Sequence, residues 1–134
     1  MNLIILGAPG SGKGTQAKLL TEKFDLSHLS SGDLLRAEAV SGSAKGKIIA
    51  DLLAKGDLLP FETVLEVLEP AFKQARGGFI LDGTPRDVKQ AEYLDWFLQK
   101  NALQIDKVIY LSLPAEHSLT RLLNRAEIEH RAHE

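Results

Sequence analysis

The chain has 134 residues, 44% hydrophobic and 25% charged, which suits one domain with a real core and excludes a low-complexity or fibrous protein. A net charge of -2 argues against a nucleic-acid backbone as ligand, since that needs clustered excess Lys and Arg. There is no cysteine, so disulfides and thiolate metal sites are excluded.

From the N-terminus, Met1-Asn2-Leu3-Ile4-Ile5-Leu6 lacks the basic region and cleavage site of a signal peptide. No apolar run approaches the roughly 18 residues of a membrane span, so the expected location is the cytoplasm, without a membrane partner. Leu3 to Leu6, rich in Ile and Leu and stopped by Gly7, has the pattern of a fully buried parallel strand. Ala17, Leu20 and Phe24 then fall at helical spacing. A second short segment, Ser27 to Leu29, leads into Ser30-Ser31-Gly32-Asp33, a group of helix N-cap residues, with helical pattern through Leu34, Leu35 and Ala39. An amphipathic run from about Ala44 to Lys55 stops at Gly56, the residue type expected just past a helix end.

Pro60 suits the opening of the next helix. Pro70 interrupts the pattern of Val64, Leu68, Phe72 and Ala75 and is expected to kink or end that helix. After Gly77-Gly78, Phe79 to Asp82 reads as a buried strand ending in a carboxylate. A helix through Ala91, Leu94, Trp96 and Leu98 precedes a last strand from Lys107 to Leu113, and the pattern is helical again from Ala115, with Arg121 and Arg125 four residues apart. Strands alternating with helices imply an α/β fold, a parallel sheet covered on both faces. Ligands of such sheets bind beyond the carboxyl ends of the strands, so the loops after Leu6, Leu29, Leu81 and Leu113 matter most.

The first of these loops carries the chemistry. Gly7-Ala8-Pro9-Gly10-Ser11-Gly12-Lys13-Gly14-Thr15 has the spacing of a phosphate loop, with Gly14 in the usual Ser/Thr position. Glycines let backbone N–H groups turn inward around an anion, the helix N-terminus adds partial positive charge, and Lys13 reaches the β- and γ-phosphates. With no hydroxyl at position 14, Mg²⁺ would be held by Thr15, phosphate oxygens, waters and a carboxylate such as Asp82.

The loop as Gly-Ala-Pro-Gly-Ser-Gly-Lys-Gly-Thr-Gln resembles the opening signature of the adenylate kinase family, and further matches follow in order. Ser31-Gly32-Asp33-Leu34-Leu35-Arg36 resembles the family's stretch at the monophosphate pocket, and Phe79 to Arg86 its second signature. Gln90 stands where adenylate-specific members carry glutamine, and Leu113-Pro114 with Arg121 and Arg125 resemble the approach to the ATP lid. The resemblance implies a P-loop NTPase-type three-layer fold in one domain over residues 1–134. Its core would be 1–29 and 60–125, with a small helical monophosphate-binding insertion at 30–59 and the start of a lid at 126–134.

The function implied is reversible, Mg²⁺-dependent transfer of the ATP γ-phosphate to AMP, giving two ADP. Gly10, Ser11, Gly12, Lys13, Gly14 and Thr15 would cradle the ATP phosphates. Ser31, Arg36, Arg86 and Gln90 would hold AMP, with backbone at Asp57, Leu58, Leu59 and Gly83. Asp33 and Asp82 would organise the waters around Mg²⁺, and Arg121 and Arg125 would grip ATP and the transferring group. Arginine forks match phosphate geometry, and Gln90 offers both a donor and an acceptor to an adenine edge. Taken singly, Arg36 reads as a solvated helix residue, Asp82 as a helix cap, and Arg121 with Arg125 as an exposed stripe; their joint order assigns them. His28, His117, His130 and His133 fit no metal spacing and read as surface residues.

Two departures accompany the resemblance. Thr84 stands where the family usually has phenylalanine, which is expected to loosen packing beside the AMP pocket. Arg131 matches a lid arginine, but Ala132, His133 and Glu134 follow it in place of the family's acidic pair. Members continue with further lid, a final strand and a helix. A second reading is therefore a nucleotide-binding module without catalysis, and a third is a kinase for another monophosphate. The family expectation is a monomer, with self-association open to a sheet edge left uncovered.

Overall fold

The computed structural model describes residues 1–112 except 9, 58 and 76. Within them, four strands and five helices alternate: β1 (Asn2–Gly7), α1 (Lys13–Phe24), β2 (Ser27–Ser30), α2 (Ser31–Ala39), α3 (Ala44–Ala54), α4 (Phe61–Gln74), β3 (Phe79–Asp82), α5 (Val88–Lys100) and β4 (Lys107–Leu111). The strands form one parallel sheet in the order β2-β3-β1-β4.

Alternation along the strands divides the core between two faces, as the pleat requires. Ile4, Leu29, Phe79 and Leu81 point to one side, against Leu65, Leu68 and Phe72 of α4 and Leu94, Phe97 and Leu98 of α5. Leu3, Ile5 and Ile80 point to the other, against Ala17 and Leu20 of α1 and Leu26. The fold is the expected α/β arrangement with helices on both faces.

Register does the work of positioning. Ile5 lies opposite Asp82, and Asp82 opposite Ser30, so β1, β3 and β2 end side by side. The loop after β1, the carboxylate closing β3 and the start of α2 therefore meet along one rim of the sheet.

Pro70 neither ends α4 nor marks its boundary: the helix runs on to Gln74. Pro70 is solvent-exposed, while Leu65, Leu68 and Phe72 on the same helix are buried. Phe72 sits edge-on to Phe79 at 5.0 Å and 5.8 Å from Phe97. A missing backbone bond on the wet side is offset by this anchoring of the final turn. The last strand ends at Leu111, earlier than the hydropathy pattern suggests; position 113, like 115–134, lies outside the described residues.

Candidate active site

The glycine-rich loop leaves β1 and enters α1 through Gly12, which has φ 90° and forms the helix N-cap. A side chain there would be strained, and glycine removes that cost. Among the described residues no side chain caps α1, and its first turn has no acidic residue. Its leading N–H groups are thus available to an anion, reinforced by the helix dipole. Gly10 also has a positive φ, 83°, and Ser11 is buried beneath the loop. Gly14 and Thr15 follow on α1; Thr15 is exposed.

Lys13, the first residue of α1, reaches across to Asp82 at the end of β3, its Nζ paired directly with Oδ1. The Asp82 side chain is 7% exposed and that of Lys13 24%. The second carboxylate oxygen accepts a 2.9 Å hydrogen bond from His28 Nε2. Burial pushes the Asp82 carboxyl up, but hydrogen bonds from His28 and Lys13, with the positive charge beside it, more than reverse that. The group is held below its ordinary value of 3.8.

His28 thus corrects the expectation of a surface residue. Its side chain is only 19% exposed and belongs to the carboxylate's immediate surroundings. It pairs in register with Ile80, and Asp82 lies one pleat further along β3 on the same face. The available signal was the alternation in Ser27-His28-Leu29-Ser30, which puts His28 on a face with Ser30 at a strand end.

The monophosphate candidates gather beyond the same rim. Ser31, 3% exposed, donates from Oγ to the Asp82 carbonyl at 3.3 Å. Ser30 caps α2 by accepting from the Asp33 amide, the N-cap chemistry its sequence suggests. Arg36 Nη2 pairs with Asp33 Oδ1 at 2.5 Å, both side chains being more than half exposed. Gly83 has φ 96°, and a Cβ there would lie 2.6 Å from Ser31 Oγ, so this turn accepts only glycine without displacement. Arg86 Nε donates to the Gly83 carbonyl at 3.3 Å, and the Arg86 amide donates to Gln90 Oε1 at 2.8 Å.

Thr84 is 3% exposed. An open groove of about 650 Å³ adjoins Gln90, lined also by Phe61, Glu62, Asp87, Lys89, Glu92 and Tyr93. No described residue of the glycine-rich loop lines it. Asp57 is exposed and Leu59 partly buried, while Leu58, Arg121, Arg125 and Arg131 lie outside the described residues.

The adenylate kinase family model matches residues 5–133. An adenylate kinase of Xanthomonas campestris is 46% identical over 133 residues, spanning 98% of this chain and 71% of that protein. One of Phocaeicola vulgatus is 40% identical over 135 residues with the same coverage. Adenylate kinase isoenzyme 1 of Rattus norvegicus is 41% identical over 128 residues, spanning 93% of this chain and 64% of that protein. The chain belongs to the adenylate kinase family. Its class is accordingly that of nucleoside monophosphate kinases, which are phosphotransferases.

The residues present fit the Mg²⁺ that adenylate kinases generally use. Asp82 is an ionised hard-oxygen donor beside Lys13. Among the described residues no group of three or more His, Asp or Glu could hold a metal alone. Mg²⁺ keeps several waters and is commonly held by one or two carboxylates plus substrate phosphates, a role open to the Asp82 carboxylate.

The depressed Asp82 pKa makes a stability prediction. A carboxylate whose folded pKa lies below its unfolded value stabilises the fold fully above the unfolded value of 3.8 and loses that contribution as pH falls. Asp82→Asn is expected to cost about 1.5–3 kcal/mol at pH 7, the usual worth of hydrogen bonds to a charged group. Chemical denaturation at pH 7 and pH 3 checks this: the gap between wild type and variant should narrow in acid. A gap independent of pH would count against it.

Proposed function

We propose that this family member catalyses reversible, Mg²⁺-dependent transfer of the γ-phosphoryl group of ATP to AMP, yielding two ADP. The observation that carries this reading is the meeting of Lys13, at the open N-terminus of α1, with the Asp82 carboxylate at the strand ends. That is an anion cradle with a lysine ammonium and a cation-binding carboxylate at one point. Gly10 through Thr15 would hold the donor phosphates, with Arg121 and Arg125 contributing from the segment toward the lid. Ser31, Arg36, Arg86 and Gln90 would hold AMP, with Gly83, Asp57, Leu58, Leu59 and Arg131.

Mg²⁺ bound through Asp82, Asp33, Thr15, phosphate oxygens and water would neutralise charge on the transferring group. In the step itself an oxygen of the AMP phosphate attacks the γ-phosphorus while the bond to the β,γ-bridging oxygen breaks. ADP leaves with that electron pair. The acceptor is already an anion, so no general base is needed. The chain's own work is in-line positioning and positive charge around the equatorial oxygens.

In this reading Lys13 exchanges one anion for another, leaving Asp82 for a phosphate, and Arg36 likewise exchanges Asp33 for the monophosphate. The substrates are small and anionic, and the site of action is the cytoplasm. No described helix is long and apolar enough to cross a membrane.

The test is coupled-assay ADP formation from ATP plus AMP with Mg²⁺, using UMP and CMP as controls. Turnover with AMP and not with the pyrimidine monophosphates is expected. Arg86→Ala should lower it about 10²–10³-fold, the typical worth of one donor to developing charge. Undiminished turnover in that variant would sink the assignment of Arg86. ATP binding without ADP formation would reduce the reading to a nucleotide-binding protein.

A further inference from the structure

Gln90 holds two positions in one hydrogen-bond circuit. Asp87 caps α5 by accepting from the Gln90 amide at 2.8 Å, and the Gln90 side chain reaches back to accept from the Arg86 amide at 2.8 Å. This is a capping box shifted by one residue: the returning bond goes to the residue before the cap, Arg86, and not to the cap itself. A backbone N–H only donates, so the facing amide atom of Gln90 must be its oxygen. Its –NH₂ group therefore points elsewhere, and no hydrogen bond to it is present among the described residues. The Gln90 oxygen has a second lone pair, so the bond from the Arg86 amide still leaves both a donor and an acceptor for a base.

Arg86 is exposed, so packing does little to fix it. Two polar contacts hold it: its amide on Gln90 Oε1 and its Nε on the Gly83 carbonyl. We propose that Gln90 is a positioning residue for Arg86 as well as a reader of the base, so that one side chain couples the base subsite to the phosphate subsite. A ring-nitrogen acceptor on the base would take the Gln90 –NH₂ and polarise the amide, strengthening its oxygen's hold on the Arg86 loop. A base that fails to engage Gln90 would then lose phosphate affinity as well as base affinity. The inference rests on the monophosphate reading of Arg86 given above.

The experiment compares wild type, Gln90→Leu, Gln90→Glu and Arg86→Ala in NMR titrations with AMP and with ribose 5-phosphate, a monophosphate without a base. Hydrogen exchange of the Arg86 amide is followed in the same samples, and circular dichroism checks that helix content is unchanged. Gln90→Leu is expected to weaken ribose 5-phosphate binding about threefold to tenfold, the worth of one neutral hydrogen bond, and to speed Arg86 exchange by a similar factor. Gln90→Glu keeps an acceptor but no –NH₂, so it should preserve Arg86 protection while losing the preference for AMP over ribose 5-phosphate.

Unchanged ribose 5-phosphate affinity in Gln90→Leu would make Gln90 a base reader alone and overturn the coupling. Unchanged Arg86 exchange would overturn it as well. If Arg86→Ala leaves ribose 5-phosphate binding intact, the monophosphate reading itself fails; the exchange comparison then still decides whether Gln90 holds Arg86.

Discussion

Lys13→Met is expected to weaken ATP binding about 10- to 100-fold and to lower turnover about 10²–10³-fold, as large a loss of turnover as that expected of Arg86→Ala. The affinity figure follows from removing one charge-assisted bond to phosphate, and the turnover figure from losing positive charge where it develops. Methionine keeps the length of the side chain and much of its packing, so the ammonium is what is deleted. Stability should respond less than in Asp82→Asn. The Asp82 carboxylate loses Lys13 but retains His28, whereas Asp82→Asn weakens both contacts at once. Calorimetric titration of ATP, coupled-assay rates and denaturation on the same samples separate the three effects. ATP affinity within about threefold of wild type would remove Lys13 from the donor site and leave it a structural partner of Asp82.

Phe72→Ala is expected to destabilise the fold by about 3–5 kcal/mol, the usual range for emptying a buried aromatic site. Phe72 is 5% exposed and touches Phe79 of β3 and Phe97 of α5, so one ring joins a helix, the central sheet and a second helix. Refilling the space would draw on the last turn of α4, which carries the ring. That turn lies beyond Pro70, where a backbone hydrogen bond is already missing. Set against a typical domain stability of roughly 5–15 kcal/mol, the loss would bring the chain close to unfolding at room temperature. Urea denaturation gives the number, with Leu53→Ala, at a 43% exposed position, as a control expected to change little. A loss below about 1 kcal/mol would mean that Phe72 is not the anchor described.

These expectations differ in how they could be reached. The segment from Leu3 to Thr15 declares itself locally. A short apolar run, glycines where the chain must take positive φ, and a lysine opening a helix are all neighbours in sequence, so spacing alone carries the phosphate-binding reading. The same is true of Ser30 as a helix cap, because a cap bonds an amide only three residues on.

What sequence could not supply were contacts made by strand order and helix packing. His28 and Asp82 are 54 residues apart and meet because β2 lies beside β3 in one particular register. A shift of one residue would turn His28 to the opposite face. Pro70 misled for the same reason: the rule against proline in helices is local, and the burial of Phe72 that carries α4 past it is not. By itself, the sequence determined which chemistry the chain carries, because phosphate cradling is built from adjacent backbone groups and one lysine. Only the tertiary structure decided that Lys13 and His28 meet at Asp82 and that Phe72 carries α4 past Pro70, because those partners are chosen by sheet register and packing between segments distant in the chain.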